Sequence, residues 1–79
     1  MKYHLLYFAI LADRAGCTGE SVDSNAKDPA LLYDEIRQRH PFNLDRQRLR
    51  VAVNGQIVAW NHRLDEGDEI VFLPPVSGG

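Results

Sequence analysis

The sequence predicts an α+β roll, a mixed sheet of about five strands with one main helix packed across one face. Three observations carry this. The first and last strand candidates, "KYHLLYFAI" and "EIVFL", are the most apolar stretches of the chain, as the centre of a sheet requires. Asn54-Gly55 lies between two short apolar runs, and this pair is the strongest short hairpin signal because a type I′ turn needs positive φ at both central residues. Between them, "KDPALLYDEIRQRHPF" reads as one amphipathic helix with a start and a stop.

The totals bound the rest. Seventy-nine residues make one small domain with a thin core. Hydrophobic content of 44% and charged content of 25% are ordinary for a folded domain. A net charge of −2 offers no electrostatic case for nucleic acid and no polybasic membrane anchor. Cys17 is the only cysteine, which excludes an intramolecular disulfide. No apolar run is long enough to span a bilayer. Leu5 to Ala12 is nearly all apolar, but only Lys2 precedes it as a basic residue, and cleaving it as a signal peptide would remove much of a minimal domain. It reads as a core strand, and a cytoplasmic location is the expectation.

The elements follow in order. The first strand is "KYHLLYFAI"; Gly16 and Gly19 bracket a turn, and "ESVDS" is a short second strand that pairs back on the first. Asp28 is placed to cap the helix and Pro29 suits its first position. Leu32 and Ile36 share a face with Tyr33 on its flank, Arg37 and Arg39 suit the negative end of the helix dipole, and Pro41 stops the run. Val51 and Val53 alternate before the Asn54-Gly55 turn, and Ile57 follows on the return strand. A turn at Glu66-Gly67-Asp68 leads to a last strand at 69–73, with Ile70 and Phe72 facing one way and Val71 and Leu73 the other. With the first and last strands side by side at the centre, the order β-β-α-β-β-β is that of the β-grasp, or ubiquitin-like, fold, although other small α+β sheets fit the same order.

The chain ends "FLPPVSGG", so the domain is expected to span 1–75 and a flexible tail 76–79. Pro74 and Pro75 cannot donate ladder hydrogen bonds and favour an extended backbone, which aims the tail away from the body. Val76, Ser77, Gly78 and Gly79 then offer little bulk, and the two glycines can thread a channel too narrow for a Cβ. The delivered group is the Gly79 carboxylate. A carboxylate is a poor electrophile until it is activated, most simply as a mixed anhydride with AMP, after which sulfur would give a thiocarboxylate and a lysine amine an isopeptide. Glycine ends also fray without function, but a rigid Pro-Pro spacer leaving a core strand favours the functional reading. In the free chain the tail is expected to be mobile.

"FLPPVSGG" preceded by "LDEGDEIV", the "AVNG" hairpin and "LYFA" near the start together resemble the small, MoaD-type subunit of molybdopterin synthase, a ubiquitin-like sulfur carrier. The resemblance covers essentially the whole chain, with the tail its most specific part. "EIRQRHP" and "YFAILADRAG" are nearer the eukaryotic type; bacterial members often carry an Arg where Ala12 stands here, so no basic role is carried over to that position. The resemblance implies that a MoeB-like adenylating enzyme uses ATP to activate Gly79, that a sulfur donor converts it to a thiocarboxylate, and that the tail enters the large, MoaE-type subunit. There the sulfur passes to cyclic pyranopterin monophosphate in molybdenum cofactor biosynthesis. The assembly implied is a heterotetramer, in which this chain supplies sulfur and is not itself the catalyst; it binds no cofactor. Phe8, Ile57 and Leu73 match the family's hydrophobic partner contact. Alternation supports an outer face for Leu73, whereas Phe8 and Ile57 fit a core role equally well.

Other residues carry less. His4, His40 and His62 lack metal-ligand spacing, so no metal is expected, and Cys17 reads as an incidental thiol in a turn. Asp68 in "DEGDE" reads as a turn cap, and the basic stretch "RQRH" to "DRQRLR" as a solvated face, although it could dock an acidic partner. The competing functions are a thiamine-thiazole sulfur carrier, a ubiquitin-related protein modifier and an inert interaction module. Nucleic acid and membrane are not expected partners.

Overall fold

The computed structural model describes residues 1–40 and 44–74, with residues 9 and 10 described by backbone alone. The elements run β1 (Lys2–Tyr7), α1 (Ala9–Ala15), β2 (Gly19–Asp23), α2 (Pro29–Arg39), a 3-10 turn (Arg46–Arg48), β3 (Arg50–Val53), β4 (Gln56–Val58) and β5 (Glu69–Leu73). The five described strands form one sheet in the order β2-β1-β5-β3-β4. β1 and β5 pair in parallel, and every other pairing is antiparallel. The expected arrangement holds: the two most apolar strands lie side by side, and β5 is the middle strand.

Alternation builds the core. Tyr3, Leu5 and Tyr7 of β1, Val51 and Val53 of β3, and Ile70 and Phe72 of β5 are all buried on one face. α2 lies against that face through Pro29, Leu32, Tyr33 and Ile36. Its N-cap is as expected, with the Asp28 carboxylate accepting from the Leu31 amide at 2.9 Å. Aromatic packing knits the layers: Tyr33 meets Phe72 edge-on at 5.0 Å, and Trp60 stacks on Phe72 at 6.0 Å between centroids. Both turns take the expected backbone, with φ of 52° at Asn54, 86° at Gly55 and 84° at Gly67.

One element departs from expectation. The apolar run Leu5 to Ala12 is not a single core strand. β1 ends at Tyr7, and the chain turns into α1. "AILADRA" contains three alanines, the best helix formers, and Gly16 closes the helix in the left-handed conformation, its amide donating to Ala12 O at 3.0 Å. Gly16 and Gly19 bracket a turn as expected, but it joins α1 to β2: Gly16 caps the helix and Gly19 is the first residue of β2. Leu11 reaches the core, and Ala12 and Ala15 pack against it.

Candidate functional site

The tail leaves from the middle of the sheet. β5 ends with Phe72 opposite Tyr7 of β1 and Val51 of β3, and Leu73 opposite Arg50. β5 is held on both sides, so its last residue, Leu73, and Pro74 after it lie at the end of the central strand. Leu73 and Pro74 are half-buried. Pro75, Val76, Ser77, Gly78 and Gly79 lie outside the described residues, as do the expected mobility of the tail and the Pro41 helix stop.

The sheet face away from α2 carries an apolar row. Register places Leu6 of β1 beside Val71 of β5, Val71 beside Ala52 of β3, and Ala52 beside Ile57 of β4. Leu73 shares the face of Val71, two residues along its strand. Phe8 continues the alternation of β1 beyond Leu6, because its backbone is still extended (φ −126°, ψ 154°). Phe8 is 50% and Ile57 56% exposed, which excludes the core role that the sequence left open for each. Phe8, Leu73 and Ile57 thus belong to one sheet face, and Phe8 and Leu73 stand at the end from which the tail departs.

Next to this end lies a cluster that sequence reasoning missed. The Tyr7 hydroxyl donates to Glu20 Oε2 at 2.6 Å, and His40 Nε2 lies 2.6 Å from the same oxygen. The Tyr7 and His40 rings meet edge-on at 5.8 Å. Burial acts to raise the Glu20 pKa, but the hydrogen bonds from Tyr7 and His40, with the charges of His40 and Arg39, outweigh it and hold the carboxyl below its ordinary value. Burial, reinforced by Glu20, pushes the Tyr7 phenol well up. A signal was present. Glu20 pairs with Leu5, a core-facing residue, and a carboxylate on the core side of a strand needs a partner.

The opposite end of the sheet is locked by its acidic turn. Asp68 accepts from the Asp65 amide at 2.8 Å and from Asn54 Nδ2 at 2.9 Å, so it caps the turn as expected. Asn54 Oδ1 accepts from the Glu69 amide, and Glu66 accepts from the Lys2 amide. These carboxylates are engaged in holding the turns together. Of the remaining candidates, His4 contacts Ser21 Oγ at 3.0 Å, His62 is exposed, and Cys17 packs half-buried against the core.

Comparison with known proteins gives a consistent answer. The family model described as "ThiS family" matches residues 5–79. The molybdopterin synthase sulfur carrier subunit of Mycobacterium tuberculosis is 35% identical over 82 residues, covering 100% of this chain and 99% of the relative. The Homo sapiens protein of the same description is 38% identical over 83 residues, covering 99% and 94%. Among solved structures, small archaeal modifier protein 1 of Haloferax volcanii superposes with a TM-score of 0.79 at 26% identity, with 100% of both chains covered. With its ubiquitin-like sheet, its Gly-Gly end and these full-length relatives, the chain belongs to the ThiS family, alongside the molybdopterin synthase sulfur carrier subunits.

Proposed function

We propose that this chain is the sulfur carrier subunit of a molybdopterin synthase. The observation that carries the reading is the Gly78-Gly79 end placed after a strand held at the centre of the sheet, beside an exposed apolar face. The Gly79 carboxylate attacks the α-phosphorus of ATP on a MoeB-like adenylating enzyme, and pyrophosphate leaves. Sulfur from a donor then displaces AMP, leaving a terminal thiocarboxylate. A MoaE-type large subunit receives Pro74 to Gly79 and transfers the sulfur to cyclic pyranopterin monophosphate. The reactive group is the chain's own terminus, so this subunit is a carrier and the chemistry is completed on its partners. Phe8, Ile57 and Leu73 form the apolar contact with them, the assembly is a heterotetramer, and its setting is the cytoplasm.

A second reading, a ubiquitin-related protein modifier, is favoured by the likeness to small archaeal modifier protein 1. It uses the same activated terminus but a lysine amine as the final nucleophile. The intact mass of the chain isolated from its native host separates the two. A gain equal to one sulfur for one oxygen at Gly79, lost on hydrolysis, supports the carrier. An unmodified chain accompanied by isopeptide conjugates on lysines supports the modifier, and an unmodified chain without conjugates overturns both.

A further inference from the structure

We propose that the arginines between the C-terminal half of α2 and the start of β3 form an electrostatic rim at the tail exit, which docks an acidic protein surface around the mouth of the site that takes the tail. The proposal rests on the reading above, in which a larger partner receives the tail.

The charges of this chain are segregated. Arg37, Arg39, Arg46, Arg48 and Arg50 are five of its nine basic residues, and the stretch from 37 to 50 contains one carboxylate, Asp45. Topology brings this stretch to the tail end. α2 finishes at the Tyr7 end of β1, where His40 meets Glu20, and β3 begins with Arg50 opposite Leu73. On neighbouring elements at this end, Asp13 is exposed and Glu20 is committed to Tyr7 and His40. Within α2, Asp34 is exposed beside Arg37, Asp45 and Arg46, and Glu35 is half-buried, so five arginines face three exposed carboxylates here. At the opposite end Asp23 pairs with Lys2 across the strands, Glu66 accepts from the Lys2 amide, Asp65 and Asp68 share the turn before Glu69, and Lys27 and Arg63 line a pocket with Asp65. The domain is therefore polarised along its strands, with its positive pole where the tail departs.

None of the five arginines forms an ion pair among the described residues, although the charge of Arg39 acts on the internal carboxylate of Glu20. Among the described residues the one salt bridge is His40–Glu20. Arg37 lies over the Tyr33 ring at 5.7 Å and Arg46 over Trp60 at 5.8 Å, which holds their stems in place. Asp34 and Asp45 line the same surface pocket as these two arginines, but no ion pair forms there among the described residues. Arg48 and Arg50 are exposed. Since Val51 faces the core, Arg50 stands on the outer face and borders the apolar row, the place of a polar rim around an apolar interface.

Reach argues for a protein surface rather than an anionic substrate. Gly79 is six residues beyond Leu73, up to roughly 20 Å when extended. Arg50 is at the base of that span, so when the terminus is at the reacting centre Arg50 is at the mouth. A carrier that must reach more than one partner gains from arriving tail first, and a field of this kind speeds such encounters without making the complex harder to leave.

The test is stopped-flow association with the purified MoaE-type subunit. Arg48→Glu/Arg50→Glu is compared with Lys27→Glu/Arg63→Glu, which makes the same change in net charge at the other end. The rim variant is expected to associate about tenfold more slowly at low ionic strength, with the difference closing at high salt and little change in dissociation. The control is expected to stay within about twofold of the wild type. Equal association rates for the two variants, with wild-type binding intact, overturn the rim and leave the carrier function standing. A wild-type chain that does not bind the subunit overturns both.

Discussion

Tyr7 and Glu20 share a 2.6 Å hydrogen bond that ties β1 to β2, and His40 closes on the same carboxylate from the end of α2. Three elements meet on one oxygen at the end of the domain from which the tail departs. A hydrogen bond to a charged acceptor is stronger than a neutral one, and a half-buried site screens it less than open solvent.

This relationship predicts an acid sensitivity. Glu20 is held below its ordinary value of 4.5 in the fold, so the folded state releases this proton more readily than the unfolded chain. The stabilisation is complete above that value and is lost as pH falls through the lower folded value. Glu20→Gln should cost about 1–2 kcal/mol at neutral pH. The gap between the variant and the wild type should narrow in thermal melts taken from pH 6 towards pH 3. A gap that is independent of pH would remove the carboxylate from the account.

The Tyr7 phenol gives the alkaline counterpart. Its pKa is raised from an ordinary 10.0, so its contribution is complete below that value and declines as pH rises above it. Tyr7→Phe should flatten the loss of stability in melts between pH 9 and pH 11 relative to the wild type. Parallel curves for the two proteins would show that other groups set the alkaline limit.

The Asp28 cap predicts a smaller effect. Its carboxylate satisfies one free amide of the first turn of α2. Asp28→Ala should cost about 1 kcal/mol and lower Tm by about 4–8 °C, whereas Asp28→Asn should retain most of the stability. Equal melting temperatures for the two variants would sink the capping account.

Legibility tracked how local each signal was. The N-cap, the Asn54-Gly55 turn and the limits of β5 rest on neighbours in sequence, and the structure reproduces them. The reading of the Gly-Gly end rests on residue identity alone, since Gly78 and Gly79 lie outside the described residues. The end of β1 was not. "LLYFAILA" is apolar throughout, so a buried strand and a strand that turns into a short buried helix leave the same trace; the alanines and Gly16 were the available clues. The Tyr7–Glu20–His40 cluster joins residues 13 and 20 positions apart, and only pairing between strands reveals it. Exposure of Phe8 and Ile57 depends on which face the helix covers, which no single stretch encodes.

α1 yields a prediction of its own. Leu11 is buried from a seven-residue helix too short to be stable alone, so packing must hold the helix in place. Leu11→Ala should destabilise the domain by about 2–5 kcal/mol. Asp13→Ala, on the exposed side of the same helix, should stay within about 0.5 kcal/mol. Denaturant midpoints at unchanged m-value would measure both, and similar costs at the two positions would mean that helix propensity, not core packing, dominates there.

The outer face makes the sharpest separation between folding and function. Ile57 and Phe8 are each about half exposed and flank a row whose floor, Val71 and Ala52, is nearly covered. Large apolar groups left in water cost the free domain little to remove, yet they lose much when a bound partner would have covered them. Ile57→Ala and Phe8→Ala should each shift stability by less than about 1 kcal/mol. Each should weaken binding to the MoaE-type subunit by about 5- to 30-fold, corresponding to about 1–2 kcal/mol. Arg48 and Arg50 act through charge, so their variants should lose affinity mainly in association at low salt, whereas Ile57→Ala should dissociate faster at every salt concentration. Calorimetric titration beside a thermal melt of each variant decides the matter. Unchanged affinity with lowered stability would return both side chains to a purely structural role.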